Sequence, residues 1–336
     1  MRVVVAPDKF RGTASAIIAV DAIASGLPPT ATAFRVPMSD GGEGLLDVFG
    51  GPNRFTEVDG PLGDSVAAGW RFDGRRAVIE MARASGLALV DGPDGNDAVA
   101  ASTYGTGELI TAAIETGARS IVVGVGGSAT TDGGLGALRA MIPARLRGID
   151  LTVACDVELR FVDAAEHFAP QKGASPAEVA LLRRRLERLV DVYRETYGVD
   201  VADLVGGGAA GGLAGGLAAV GGTLISGFDL VAEHVGLDEL LDAADLVVTG
   251  EGHLDMESFN GKVVGGMLDA AQGADVPALV VVGDADDDAA DHLARHFDAE
   301  LISLTQRFGA GRALAHTADC IRSAVESVVA RRTLRP

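Results

Sequence analysis

Two cysteines, Cys155 and Cys320, are all that this chain of 336 residues contains. They are too few for a disulfide scaffold and lack metal-ligand spacing, so the expected setting is a reducing compartment, the cytoplasm. Aromatic residues are scarce at 4% while hydrophobic residues reach 48% and glycines number 46. That balance suits closely packed helices on parallel strands. No run of about 18 apolar residues occurs, and the opening Arg2-Val-Val-Val-Ala6 is too short for a signal-peptide core, so no membrane partner is expected. Positive charge is also short: 28 Lys and Arg against 47 Asp and Glu leave a formal charge of −19. Such a surface repels nucleic acid and anionic membrane. A small anionic substrate stays open, because cations at Lys9, Arg11, Lys172 and Lys262 act locally, within a Debye length of about 8–10 Å.

Walker A, H-E-x-x-H and G-x-S-x-G are all absent. What stands in their place is Gly124-Val-Gly-Gly-Ser-Ala-Thr-Thr-Asp-Gly-Gly134, directly after the apolar Ser120–Val123. A strand that ends in glycines and hydroxyls can turn backbone N–H groups on an anion, although a plain strand-to-helix turn also needs glycine. Ser39–Gly44, Gly206–Gly216 and Thr249–Asp255 share this composition, and together they suggest a polyanion site built from several loops. Gly206-Gly-Gly-Ala-Ala-Gly211 matches G-x-G-x-x-G with Asp229 at ribose distance, but Val201–Val205 contains Asp203 and makes a poor central strand. A dinucleotide oxidoreductase is therefore the weaker reading.

Apolar runs predict strands near Arg2–Ala6, Ala33–Val36, Phe55–Val58, Ala67–Phe72, Ala77–Glu80, Ile121–Val123, Asp245–Thr249, Ala278–Val282 and Ala299–Leu304. The late strands alternate with helical patterns, the mark of a parallel sheet. Ser175-Pro-Ala-Glu178 has capping-box spacing, and Val179, Leu182, Leu186, Leu189 and Tyr193 then form one buried stripe. The expected architecture is two α/β domains. One is Rossmann-like and discontinuous, residues 1–62 plus 236–336; the other is inserted, residues 63–235, with the active site in the cleft between them. The five aspartates of Asp284–Asp291 read as a solvated loop.

Phosphoryl transfer needs donors for the moving group, a carboxylate-held Mg²⁺ and an orienting group for the attacking hydroxyl. Asp8, Asp40, Glu43, Asp132, Asp156, Glu251 and Asp255 all flank apolar runs, where α/β proteins place ligands. Lys9, Arg11, Lys172 and Lys262 lie in Gly, Pro or Thr contexts and suit anionic groups, and His253 is the one histidine in such a loop. On these grounds Asp156, Lys9, Asp40 and Lys172 are candidate catalytic residues, with Asp156 and Glu251 as candidate metal ligands. Gly126, Gly127, Ser128, Thr130, Asp132, Gly207, Gly208 and Gly211 are candidate nucleotide contacts.

Taken in order, ten segments resemble the bacterial glycerate kinase family that lacks a Walker motif. They are Ala6–Thr13, Pro37–Gly44, Glu80–Leu87, Ser102–Leu109, Gly126–Gly134, Ala154–Val157, Pro170–Ala174, Gly207–Gly212, Gly250–Asp255 and Gly261-Lys262. The resemblance implies ATP- and Mg²⁺-dependent phosphorylation of D-glycerate, commonly to 2-phosphoglycerate. It also implies a small-molecule substrate and leaves room for a homo-oligomer, for another hydroxy acid, or for a weakly catalytic ligand-binding descendant. Departures from the family pattern fall at the short Leu135–Thr152 connection, at Glu158–Ala169, and at His253, where arginine is common.

Overall fold

The computed structural model describes residues 1–10 and 12–333; Arg11 lies outside them. Eleven strands occur among the described residues: β1 (Arg2–Val5), β2 (Thr32–Arg35), β3 (Arg54–Asp59), β4 (Ser65–Phe72), β5 (Arg76–Glu80), β6 (Ser120–Gly124), β7 (Asp150–Cys155), β8 (Thr223–Ser226), β9 (Leu246–Leu254), β10 (Ala278–Ala285) and β11 (Ala299–Ser303). They form two sheets in a mixed α/β fold, and the chain divides into two compact units.

The first unit joins residues 1–40 to those from 228 onward. Its sheet has the order β11-β10-β9-β1-β2, and every pair is parallel. Val3, Val4 and Val5 are fully buried, as are Val247, Val248 and Val280 to Val282. Helices cover both faces of such a strand, which is why these segments read as continuous apolar runs without alternation. Helix Ala16–Ser25 is capped by Ser15, whose hydroxyl accepts from Ile18 N, and it packs on the C-terminal helix Thr317–Thr333. The chain leaves β1 for β2 on one side and returns in β9 on the other. Strand order therefore reverses between β1 and β9, and a crevice opens beyond their carboxyl ends.

Two expectations change in this unit. Thr249–Asp255, read as a glycine loop, is mostly strand: β9 runs on to Leu254 and pairs with β10 through Asp284↔His253 and Ala285↔Leu254. Gly250 permits it, because a side chain there would collide with the Val281 carbonyl. The aspartates of Asp284–Asp291 end β10 and start helix Asp287–His296, where Asp287 and Asp288 suit the positive end of the helix dipole.

The second unit is residues 41–227, with sheet order β3-β4-β5-β6-β7-β8. β3–β4–β5 is antiparallel and β5–β6–β7–β8 parallel. Its boundaries differ from the expected 62/63 and 235/236. β3 pairs along its whole length with β4, from Arg54↔Trp70 to Asp59↔Ser65, so it belongs to this sheet. At the other border Phe228 lies against Gly266 of helix Val263–Gly273, and residues 228–235 go with the first unit. The core centres on Trp70, Phe161, Leu186 and Tyr193. Helix Pro176–Tyr197 has the expected capping box between Ser175 and Glu178 and buries Leu182, Leu186, Leu189 and Tyr193.

Candidate functional site

The crevice beyond β1 and β9 holds a cavity of about 480 Å³. It is lined by polar Asp8, Lys9, Asp40, Glu251, Asp255 and Lys262 together with apolar Phe10, Ala310, Ala313 and Leu314. Asp8 follows β1 and is fixed there by Asp8 N donating to Gly250 O at 2.9 Å. Lys9 Nζ stands 3.6 Å from Asp40 Oδ1 and 3.9 Å from Asp8 Oδ1. Lys262 Nζ is 3.3 Å from Glu257 Oε2, and Asp255 caps the short turn Met256–Phe259 through Ser258 N. His253, on the exposed part of β9, pairs with Asp286 at 3.1 Å.

Glu251 is the unusual member of this group. Its Oε1 is buried without a hydrogen-bond partner. Burial pushes its carboxyl up to about 7; the Ser258 hydroxyl opposes this, the charge on Asp8 adds to it, and Lys262 draws it back down. A buried carboxylate oxygen left unpaired costs free energy in the empty protein and is suited to a cation or a proton from a ligand.

In the second unit the carboxyl ends of β5, β6 and β7 lead into Met81, Val125 and Asp156. Asp156 is half-buried at the first position beyond β7. With burial as the larger cause, its charge helps to push the Cys155 thiol up to about 11, which leaves that cysteine a poor nucleophile. In the loop Gly126–Gly134, Gly126 and Ser128 are half-buried and Gly127 exposed, whereas Thr130 and Thr131 are buried with hydroxyls that find no partner. Leu87 N donates to Gly127 O and Ala129 N to Ser85 O, both at 2.9 Å, so neighbouring backbone fixes the loop.

Several expected ligand contacts also hold the surrounding structure together. Asp132 accepts from Thr103 N, Thr103 Oγ1 and Gly136 N through Oδ2, and from Gly134 N through Oδ1. Both its oxygens thus hold the starts of helices Tyr104–Thr116 and Leu135–Ala140. Gly207, Gly208 and Gly211 are buried; side chains at Gly208 and Gly211 would strike the carbonyls of Arg160 and Thr130. These glycines let loop backbones touch each other, whereas Gly126, Gly127 and Ser128 are the more exposed part of the expected anion cradle. Lys172 is 6% exposed, with Nζ 2.7 Å from Ser128 Oγ and 2.5 Å from Thr130 O. Burial pulls its ammonium down to about 7, partly countered by Asp132.

Two contributors were not among the candidate site residues, although Glu80 opens one of the resembling segments. Asn96 Nδ2 bridges Ala129 O and Lys172 O at 3.0 and 2.8 Å. Glu80, 2% exposed, accepts from Gly44 N and Leu46 N and pairs with Arg83 at 2.9 Å. A buried glutamate that holds a turn looks, in sequence, like any acid at a strand end.

Among the described residues no group of three or more His, Cys, Asp or Glu is placed to hold a metal, and no helix is long and apolar enough to cross a membrane. Comparison with known proteins adds identity to this geometry. The model of the glycerate kinase family matches residues 3–143 and 141–333. Glycerate 2-kinase of Escherichia coli K12 is 36% identical over 330 residues, covering 86% of each chain. Glycerate kinase of Bacillus subtilis 168 is 36% identical, covering 84% of this chain and 85% of its own. The crystal structure of a putative glycerate kinase 2 from Salmonella typhimurium LT2 superposes with a TM-score of 0.80 at 31% identity, over 99% of this chain and 98% of that one. With a parallel-sheet crevice of paired lysines and carboxylates and matches along nearly its full length, the chain belongs to the glycerate kinase family.

Proposed function

We propose that the protein transfers a phosphoryl group from ATP to D-glycerate, with 2-phosphoglycerate as the product. The observation that carries this reading is the cavity beyond β1 and β9, where Lys9 and Lys262 stand among Asp8, Asp40, Glu251 and Asp255. A carboxylate or phosphate finds cations there, and a hydroxyl finds carboxylates to accept its proton. Gly126, Gly127 and Ser128 offer backbone and hydroxyl donors to phosphate oxygens. The residues fit Mg²⁺, which commonly takes one or two carboxylates together with substrate phosphates and water, so a three-carboxylate cage is not needed. In the first unit Glu251, with its unpaired Oε1, is assigned to the metal or to the acceptor hydroxyl; in the second unit Asp156, at the end of β7, is the candidate carboxylate. When bound, the metal neutralises charge on the phosphates.

The test is ADP release on a panel of small hydroxy acids, with the product located by phosphorus NMR. D-Glycerate should be the preferred acceptor and the 2-position the site of phosphorylation. Asp156→Asn and Glu251→Gln should each lower kcat about 10²-fold or more, the scale of an electrostatic catalytic group. A variant within a few-fold of wild type removes that residue from the mechanism. A different acceptor corrects the substrate and leaves the kinase reading standing.

A further inference from the structure

We propose that Lys172 acts on the phosphoryl-bearing ligand through Ser128, as a positioning residue that commits the Ser128 oxygen as an acceptor and so leaves its proton to be donated to the ligand. This rests on the reading of Gly126–Ser128 as a phosphate-binding loop.

The geometry restricts what the two groups can do. Lys172 Nζ lies 2.7 Å from Ser128 Oγ, and an ammonium has three donors and no acceptor. Ser128 can therefore only accept from it. Among the described residues the Ser128 hydroxyl makes no second side-chain hydrogen bond, and Ser128 is half-buried next to the exposed Gly127. Its proton is therefore left for a ligand. A phosphoryl oxygen at that place would hold the pair in this donor order, since a neutral amine would let the Ser128 proton turn back toward Lys172.

Lys172 is itself too enclosed to reach a ligand. It is buried, it also donates to Thr130 O, and its own carbonyl is held by Asn96 Nδ2, which bridges to Ala129 O. It sits in the turn Pro170–Lys172, ended by Gly173 at φ +93°, where a side chain would collide with the Pro93 carbonyl. The Lys172 side chain is thus fixed before any ligand arrives, and in its ammonium form a charge-assisted hydrogen bond onto Ser128 makes that hydroxyl a stronger donor.

A double-mutant cycle read by calorimetric titration with ATP, and separately with pyrophosphate, tests this. Ser128→Ala should weaken both ligands about tenfold, and Ser128→Thr, which keeps the hydroxyl, should stay within about threefold of wild type. Lys172→Met should weaken binding about tenfold when Ser128 is present and less than twofold in the Ser128→Ala background. A purely structural lysine would cost the same in both backgrounds, because its bond to Thr130 O is lost in each; that result overturns the proposal. So does wild-type affinity in Ser128→Ala, or a wild-type protein that binds neither ligand. Should Lys172→Met not fold by circular dichroism, Lys172→Gln takes its place in the cycle, and the two Ser128 variants decide the donor role by themselves. A wild type that binds ATP but phosphorylates no hydroxy acid defeats the proposed function while leaving the cycle readable.

Discussion

A lysine enclosed as fully as Lys172 leaves a mark on stability against pH. Its folded value is near 7 while the unfolded chain keeps the ordinary 10.5. Between these values the unfolded chain binds more protons, so raising the pH through this window favours the folded state. The stability of wild type relative to Lys172→Met should therefore grow from about pH 7 to pH 10 in urea titrations. A constant difference would mean that the lysine is not desolvated as described. The sequence showed that Lys172 lies in a Pro-Gln-Lys-Gly turn, and this made it a candidate ligand contact. Its enclosure depends on Asn96, Ser128 and Thr130, residues 42 to 76 positions away in the chain, which local context does not reveal. Lys9, Asp40 and Glu251 were easier to find, because acids and cations after parallel strands face the crevice whatever the remaining packing.

At the scale of elements, strands of the buried parallel type declared themselves through runs such as Arg2–Val5 and Ala278–Val282, whose neighbours leave no face for polar residues. β8 did not: it is a four-residue edge strand with Thr223 exposed and the rest half-buried. Glycine-rich segments were the hardest to read, since a glycine that approaches a ligand and one that approaches another backbone look alike. Gly211 is the second kind, at φ +67° against Thr130 and Thr131. Gly211→Ala should cost about 2–4 kcal/mol, from overpacking together with the left-handed backbone penalty. Gly148→Ala, at φ +77° with open space around it, should lose only about 1–2 kcal/mol. Urea midpoints of both variants check this, and equal losses would return Gly211 to a role outside packing.

For the whole molecule, ten collinear segments made the family legible, whereas the borders at 40/41 and 227/228 needed the pairing of β3 with β4. Residues 41–227 form one continuous stretch with its own core around Trp70, Phe161 and Tyr193. Expressed alone, that stretch should show native-like circular dichroism and a single cooperative melt; a gradual melt would show that it depends on the rest of the chain. The first unit is made differently. Its central strand, β1, has β2 on one side and β9 on the other, with Val3 facing Leu246. On the ribosome, Val3, Val4 and Val5 are made more than 240 residues before their second neighbour. At about 5–20 residues per second, that interval is roughly ten to fifty seconds. Throughout it the nascent chain carries a sticky, half-paired apolar strand, so its yield in the cell should depend on chaperones that shield β1 until β9 has been made.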